Sequence, residues 1–118
     1  EQVMELCNWQ KITPEQTAVG ARRDFFKGKT GTLENLSVHV STLNPGNTPH
    51  PPHQHPDEEL IIVKDGELEA TVEGRTFAVP AGSMLLIAPN ELHGWRNAGT
   101  TAAVYYVMRW VTAGQAEP

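Results

Sequence analysis

The chain has 118 residues, enough for one domain with a single buried core, and its 39% hydrophobic and 19% charged residues are ordinary for a globular protein. A formal net charge of -5 without a basic stripe argues against nucleic acid as a partner, and no apolar run approaches a membrane span. The lone Cys7 cannot close an internal disulfide, so cysteine usage does not report the redox compartment. The chain opens at Glu1 rather than methionine, which leaves cytoplasmic and exported locations both open.

In chain order, Thr13-Pro14-Glu15-Gln16 has the form of a helix start, with a threonine cap, proline at the first helical position and glutamine three after the cap. Gly20 limits that helix to about a turn. Arg22, Arg23, Phe25 and Phe26 lead into the glycine-punctuated KGKTG, a turn signal. From Leu33 the texture is β. Leu36, Val38, Val40 and Thr42 alternate with Ser37, His39 and Ser41 until Asn44-Pro45-Gly46 turns the chain. His39 lies out of phase with the apolar residues, so it faces either a cavity or the surface.

The segment from Pro49 to Pro56 cannot be an interior helix. Strands follow at Leu60 to Val63, Glu67 to Val72, Arg75 to Val79, Met84 to Ala88, Leu92 to Asn97 and Ala102 to Trp110. Between them lie a hairpin signal at Asp65-Gly66 and turns at Glu73-Gly74, Pro80-Ala81-Gly82 and Pro89-Asn90. The tail TAGQAEP reads as frayed. Many short strands divided by glycine and proline turns predict an all-β sandwich or barrel.

Chemistry concentrates in His50 to Gly66, HPPHQHPDEELIIVKDG. His53 and His55 leave the same face of an extended segment, and Glu59 follows at the start of a strand. Imidazole and carboxylate together are transition-metal ligand types, and His93 in NELHGWRN is the obvious further candidate. On its strand Glu59 shares a face with Ile61 and Val63, whereas Glu58 points away. His93 likewise shares a face with Trp95 and Asn97. Ser, Cys and Asp positions show no nucleophile–base pairing, and there is no phosphate-cradling glycine loop.

The pattern His53-x-His55, three residues, Glu59, six residues, Gly66 resembles the first motif of the cupin family. Gly74, five residues, Pro80-x-Gly82, then His93, three residues, Asn97 resembles the second. One departure is that six residues separate Gly46 from His53, one more than usual, which lengthens a turn and touches no ligand. The resemblance covers about residues 33–110. It implies a jelly-roll β-barrel, the cupin-like double-stranded β-helix, at 33–112. Residues 1–32 become an N-terminal extension packing on the barrel or a partner, and 113–118 a tail.

It also implies one divalent transition metal (Fe, Mn, Ni, Zn or Cu) held by His53, His55, Glu59 and His93. A metal-dependent enzyme of oxygenase, isomerase or lyase type, acting on a small organic substrate in the barrel, is the leading expectation. A non-catalytic ligand-binding or sensing module is the alternative, and a storage role the weakest reading. Candidates for acid–base or substrate contact are His50, Trp95 and Tyr105, with His39 behind them. Arg109 shares a face with Tyr105 and could bind a carboxylate. Glu91 and Arg96 are expected at the rim. Cupins commonly pair, and Trp9, Phe25 and Phe26 in the extension could pack on the partner of a homodimer.

Overall fold

The computed structural model describes residues 4–116. A single 3-10 turn at Trp9–Lys11, capped by the Asn8 side chain on the Gln10 N–H, precedes nine strands. These are β1 (Glu15–Thr17), β2 (Gly20–Gly28), β3 (Asn35–Leu43), β4 (Glu58–Asp65), β5 (Glu67–Val72), β6 (Arg75–Pro80), β7 (Met84–Ile87), β8 (His93–Asn97) and β9 (Ala103–Val111), followed by one helical turn, α1 (Ala113–Ala116). All pairings between strands are antiparallel. One sheet runs β1-β2-β3-β9-β4-β7 and the other β6-β5-β8. Together they form a jelly-roll barrel.

The core lies between the two sheets, where inward positions alternate along each strand. Glu59, Ile61 and Val63 are buried on β4; Ala103, Tyr105 and Val107 on β9; Leu68 and Ala70 on β5. The Glu73-Gly74 turn closes the β5–β6 hairpin as a two-residue loop with φ positive at both residues. That is the form whose twist suits a hairpin.

Four sequence expectations are corrected. The helix start at Thr13–Gln16 is instead the entry to β1, because Glu15, Gln16 and Thr17 pair with Arg22, Ala21 and Gly20. Sheet pairing outweighs a capping pattern that has no room to propagate. Strand structure therefore begins well before Leu33, and β2 carries Arg22 to Phe26. A bulge between Asp24 and Phe26 breaks its period of two, which hides the strand from an alternation test.

Asp65-Gly66 is no hairpin either: β4 pairs with β7 and β9, whereas β5 pairs with β6 and β8. The dipeptide is a corner where the chain changes sheets. Gly66 has φ +78, and a Cβ there would stand 3.0 Å from both the Ala102 oxygen and the Ala103 Cα, so the corner requires glycine. The tail is not frayed from its start, since α1 turns over Ala113–Ala116; Glu117 and Pro118 lie outside the described residues.

Trp9 packs on this chain's own barrel. Its ring is 6.1 Å from Phe25, with the Arg23 guanidinium 4.2 Å over its face.

Candidate metal centre and cavity

The proline-rich loop before β4 runs extended, and a reciprocal pair of backbone hydrogen bonds, each 2.9 Å, fastens His53 to His93 at the head of β8. The Asn90 N–H donates to the His55 carbonyl at 2.8 Å and holds the loop to the β7–β8 turn. Glu59 arrives from β4 as the second residue of the strand, facing inward. The sequence expectation that these four converge is met in geometry. The potential ligand atoms of His53, His55, Glu59 and His93 all lie within 4.8 Å of one another, so the group could hold a metal ion.

The three imidazoles stand nearly edge to face around that point, with centroid separations of 4.8 to 5.0 Å and interplanar angles of 75° to 78°. Glu59 and His93 are almost fully buried.

The hydrogen bonds around the cluster decide what it can do. His55 Nδ1 lies 3.1 Å from the Asp57 carbonyl and His93 Nδ1 lies 2.8 Å from the Glu91 carbonyl. A carbonyl can only accept, so both Nδ1 atoms carry hydrogen and donate. In the neutral rings both Nε2 lone pairs then aim at one carboxylate oxygen. His55 Nε2 is 2.9 Å and His93 Nε2 3.4 Å from Glu59 Oε1. His93 Nε2 is buried and has no hydrogen-bond partner.

Acceptors facing one another in a dry site repel unless a proton or a cation lies between them. Ligating histidines are oriented in this same way, by a carbonyl on the far nitrogen. Ligand atoms about 2.1 Å from one ion stand at most about 4.2 Å apart, so shifts of a few tenths of an ångström close the cluster around it.

The electrostatics agree. Burial pushes the Glu59 carboxyl up, but contact with His93 and the charges of His93, His55 and Arg109 outweigh it and hold the group below its ordinary value. Burial lowers His93, yet the Glu59 carboxylate and the Glu91 carbonyl more than offset it and raise the imidazole. A proton is therefore drawn to the place a cation would take. His53 is lowered to about 4, by burial first and then by the neighbouring His50, His93 and His55.

Beside the cluster lies a cavity of about 230 Å³. His50, Trp95 and Tyr105 all line it. His50 stacks on His53 at 4.0 Å and meets Trp95 edge-on at 5.7 Å, and its Nδ1–H donates to the Pro51 carbonyl at 2.8 Å. Trp95 lies parallel to His93, 6.0 Å away, and donates its indole N–H to the Tyr105 hydroxyl at 2.9 Å. Burial raises Tyr105, against the hydrogen bonds from Trp95 and Ser41. Tyr106, on the other parity, does not line the cavity.

Arg109 is a wall residue rather than an exposed one. It pairs with Asp57 at 3.4 Å and approaches Glu59 at 4.0 Å. Arg96 pairs with Glu69 at the surface, and Glu91 caps the turn by accepting from the Ala88 N–H. Glu58 points outward to accept from the Trp110 indole. His39, which the alternation left open, lines the cavity, as do Ser37, Ser41 and Arg22. Arg22 lies far from the motifs and carries no sequence signal; only the pairing of β2 with β3 brings it here.

The cupin-domain family model matches residues 39–109, and the chain belongs to that family. Among curated proteins it is 28% identical over 95 residues to the polyketide synthase CurC of Streptomyces cyaneus, covering 80% of this chain and 61% of that one. Among solved structures, an RmlC-like cupin from Shewanella frigidimarina superposes with a TM-score of 0.76 at 18% identity over 95% of both chains. A structure of oxalate oxidase is 30% identical with a TM-score of 0.57, covering 63% of this chain and 41% of that one. This chain thus spans less than two thirds of the length of both CurC and oxalate oxidase.

Proposed function

We propose that the protein is a metal-dependent enzyme, of the oxygenase, isomerase or lyase type, that takes a small oxygen-bearing organic molecule into the barrel. His53, His55, Glu59 and His93 would hold one divalent transition metal. One observation carries the reading. In their neutral forms, two imidazoles, buried His93 and half-buried His55, each with Nδ1–H committed to a carbonyl, turn their remaining lone pairs on one carboxylate oxygen.

Four protein ligands leave room on a six-coordinate ion, and when bound such an ion polarises a substrate oxygen or supports oxygen chemistry. The chain's own residues supply the rest. Trp95 and His50 wall the cluster and exclude water. Arg109 lies 4.0 Å from Glu59 and adds positive charge beside it. His50, whose Nδ1–H is engaged, presents Nε2 as a proton acceptor at the cavity. The cavity volume lies below the usual 300–1,000 Å³ of drug-sized sites, which favours a substrate of few atoms. The names of two relatives, a polyketide synthase and an oxalate oxidase, point the same way, to oxygen-rich carbon compounds.

Self-association belongs to this reading. On the outer face of the larger sheet, pairing aligns Val38, Met108, Leu60 and Leu86 in one row and Tyr106, Ile62 and Met84 in the next, whose β3 member Val40 is already buried within the chain. Met84 and Leu86 are well exposed.

The test is metal content by mass spectrometry of protein purified without added metal or chelator, beside Glu59→Ala and His93→Ala. Occupancy should collapse in both variants while circular dichroism stays that of a β protein, since the barrel core is built elsewhere. Unchanged metal in both variants would refute the assignment. A metal-loaded protein that turns over none of a broad oxygenate panel would leave a binding or sensing module in place of the enzyme.

A further inference from the structure

Strand β3 is built inside out. Its apolar residues Leu36, Val38 and Val40 take the outer face, and Ser37, His39 and Ser41 line the cavity. An ordinary half-buried strand turns its polar side to water. Ser41 engages the Tyr105 hydroxyl, and a polar side chain that faces a barrel interior is costly unless it finds such a partner.

His39 makes the point most sharply. Its Nδ1 is buried and has no hydrogen-bond partner. Burial, and then the Arg22 guanidinium, lower its pKa to about 4, against smaller opposing influences of Asp24 and Glu59, so the ring stands neutral and can both donate and accept. Sheet register fixes where the stripe lies relative to the metal cluster. Ser37 pairs with Arg109, which pairs with Glu59, and His39 pairs with Val107, which pairs with Ile61. Two strand spacings, about 10 Å, therefore separate the β3 stripe from β4, with Tyr105, Val107 and Arg109 of β9 between. The cavity has a polar end on β3, a β9 wall of Tyr105, Val107 and Arg109, and a cluster able to take a metal.

Resting on the metal reading above, we propose that His39, flanked by Ser37 and Ser41, binds the distal oxygen of a substrate whose other end is held at the His53–His55–Glu59–His93 cluster. The cavity then selects short molecules with oxygen functions at both ends. The shared chemistry is a hydroxyl or a carboxylate, either of which a neutral imidazole and the Ser37 hydroxyl can bind, with Arg22 alongside.

Three probes with one head separate these cases: lactate, glycerate and malate are all 2-hydroxy acids, ending in methyl, hydroxymethyl and carboxymethyl groups. Affinities are measured by calorimetry on zinc-loaded protein, with metal content recorded for every sample. Glycerate or malate should bind at least about tenfold tighter than lactate, and His39→Leu should erase that preference without changing metal content. His39→Gln, which keeps a donor and an acceptor, should retain part of it. On wild-type protein, the His39 ring resonances should shift with the favoured probe and not with lactate.

Preference for glycerate alone assigns a hydroxyl end, and preference for malate alone a carboxylate end. Equal affinities for all three probes, a preference that survives His39→Leu, or no binding of any probe would overturn the proposal. Protein that takes up no zinc fails the metal reading instead. In that case the ring shifts on metal-free protein decide the His39 contact alone.

Discussion

Asn97 ends β8 with a side chain that is completely buried and fully engaged. Its Nδ2 donates to the Leu43 and Thr101 carbonyls at 2.8 Å each, and its Oδ1 accepts from the Gly99 N–H at 2.9 Å. The asparagine of the second motif is thus a clamp between the end of β3 and the β8–β9 turn, four residues beyond His93 on the strand it anchors. Asn97→Ala strands two carbonyls and a donor and should cost about 3 kcal/mol, read by urea denaturation. A loss within experimental error would mean that water replaces the amide.

His39 makes a second residue-scale prediction. Its folded-state value, about 4, lies below the 6.5 of the unfolded chain, so the unfolded state binds more protons between those limits. Stability should fall as pH drops through that window, by about 3 kcal/mol at most from this group. Arg22 and Arg109 favour the neutral ring, whereas Asp24 and Glu59 oppose it. Denaturation of metal-free protein between pH 7 and 4.5 should therefore show a shallower loss in His39→Leu than in wild type. Parallel losses would contradict the burial argument.

At the scale of elements, the local patterns that were legible are those in which one residue type has one use. Glu59 with Ile61 and Val63, and His93 with Trp95 and Asn97, share faces as a period of two requires, and the Glu73-Gly74 turn closes a hairpin. What escaped has physical reasons. β2 carries arginines and a bulge, so neither composition nor alternation marks it. On β3 alternation is plain but its sense is reversed by the cavity, and no local rule says which face of a barrel strand is inside.

Asp65-Gly66 carries a hairpin signature because a sheet-changing corner needs the same glycine for a different cause. Gly66→Ala brings a methyl within 3.0 Å of the Ala102 and Ala103 backbone at positive φ. It should cost about 2 kcal/mol or more, measured as a lowered midpoint of thermal or urea unfolding. An unchanged midpoint would show that the corner relaxes freely.

Across the whole molecule, two sheets with opposite needs share one chain. The smaller sheet and the inner face of the larger one enclose a core broken by a polar cavity, while the outer face of the larger sheet keeps an apolar surface. That surface predicts a dimeric mass in light scattering, reduced toward one chain by Met84→Glu with Leu86→Glu; a monomeric wild type would contradict it. Among the described residues no helix is long and apolar enough to cross a membrane.

Whether the barrel carries a metal on three imidazoles and a carboxylate is decided by elemental analysis of the native protein. About one equivalent of a divalent transition metal per chain is expected, lost in Glu59→Ala with the fold intact. Protein that holds no metal as purified, and takes up none on reconstitution, would contradict it.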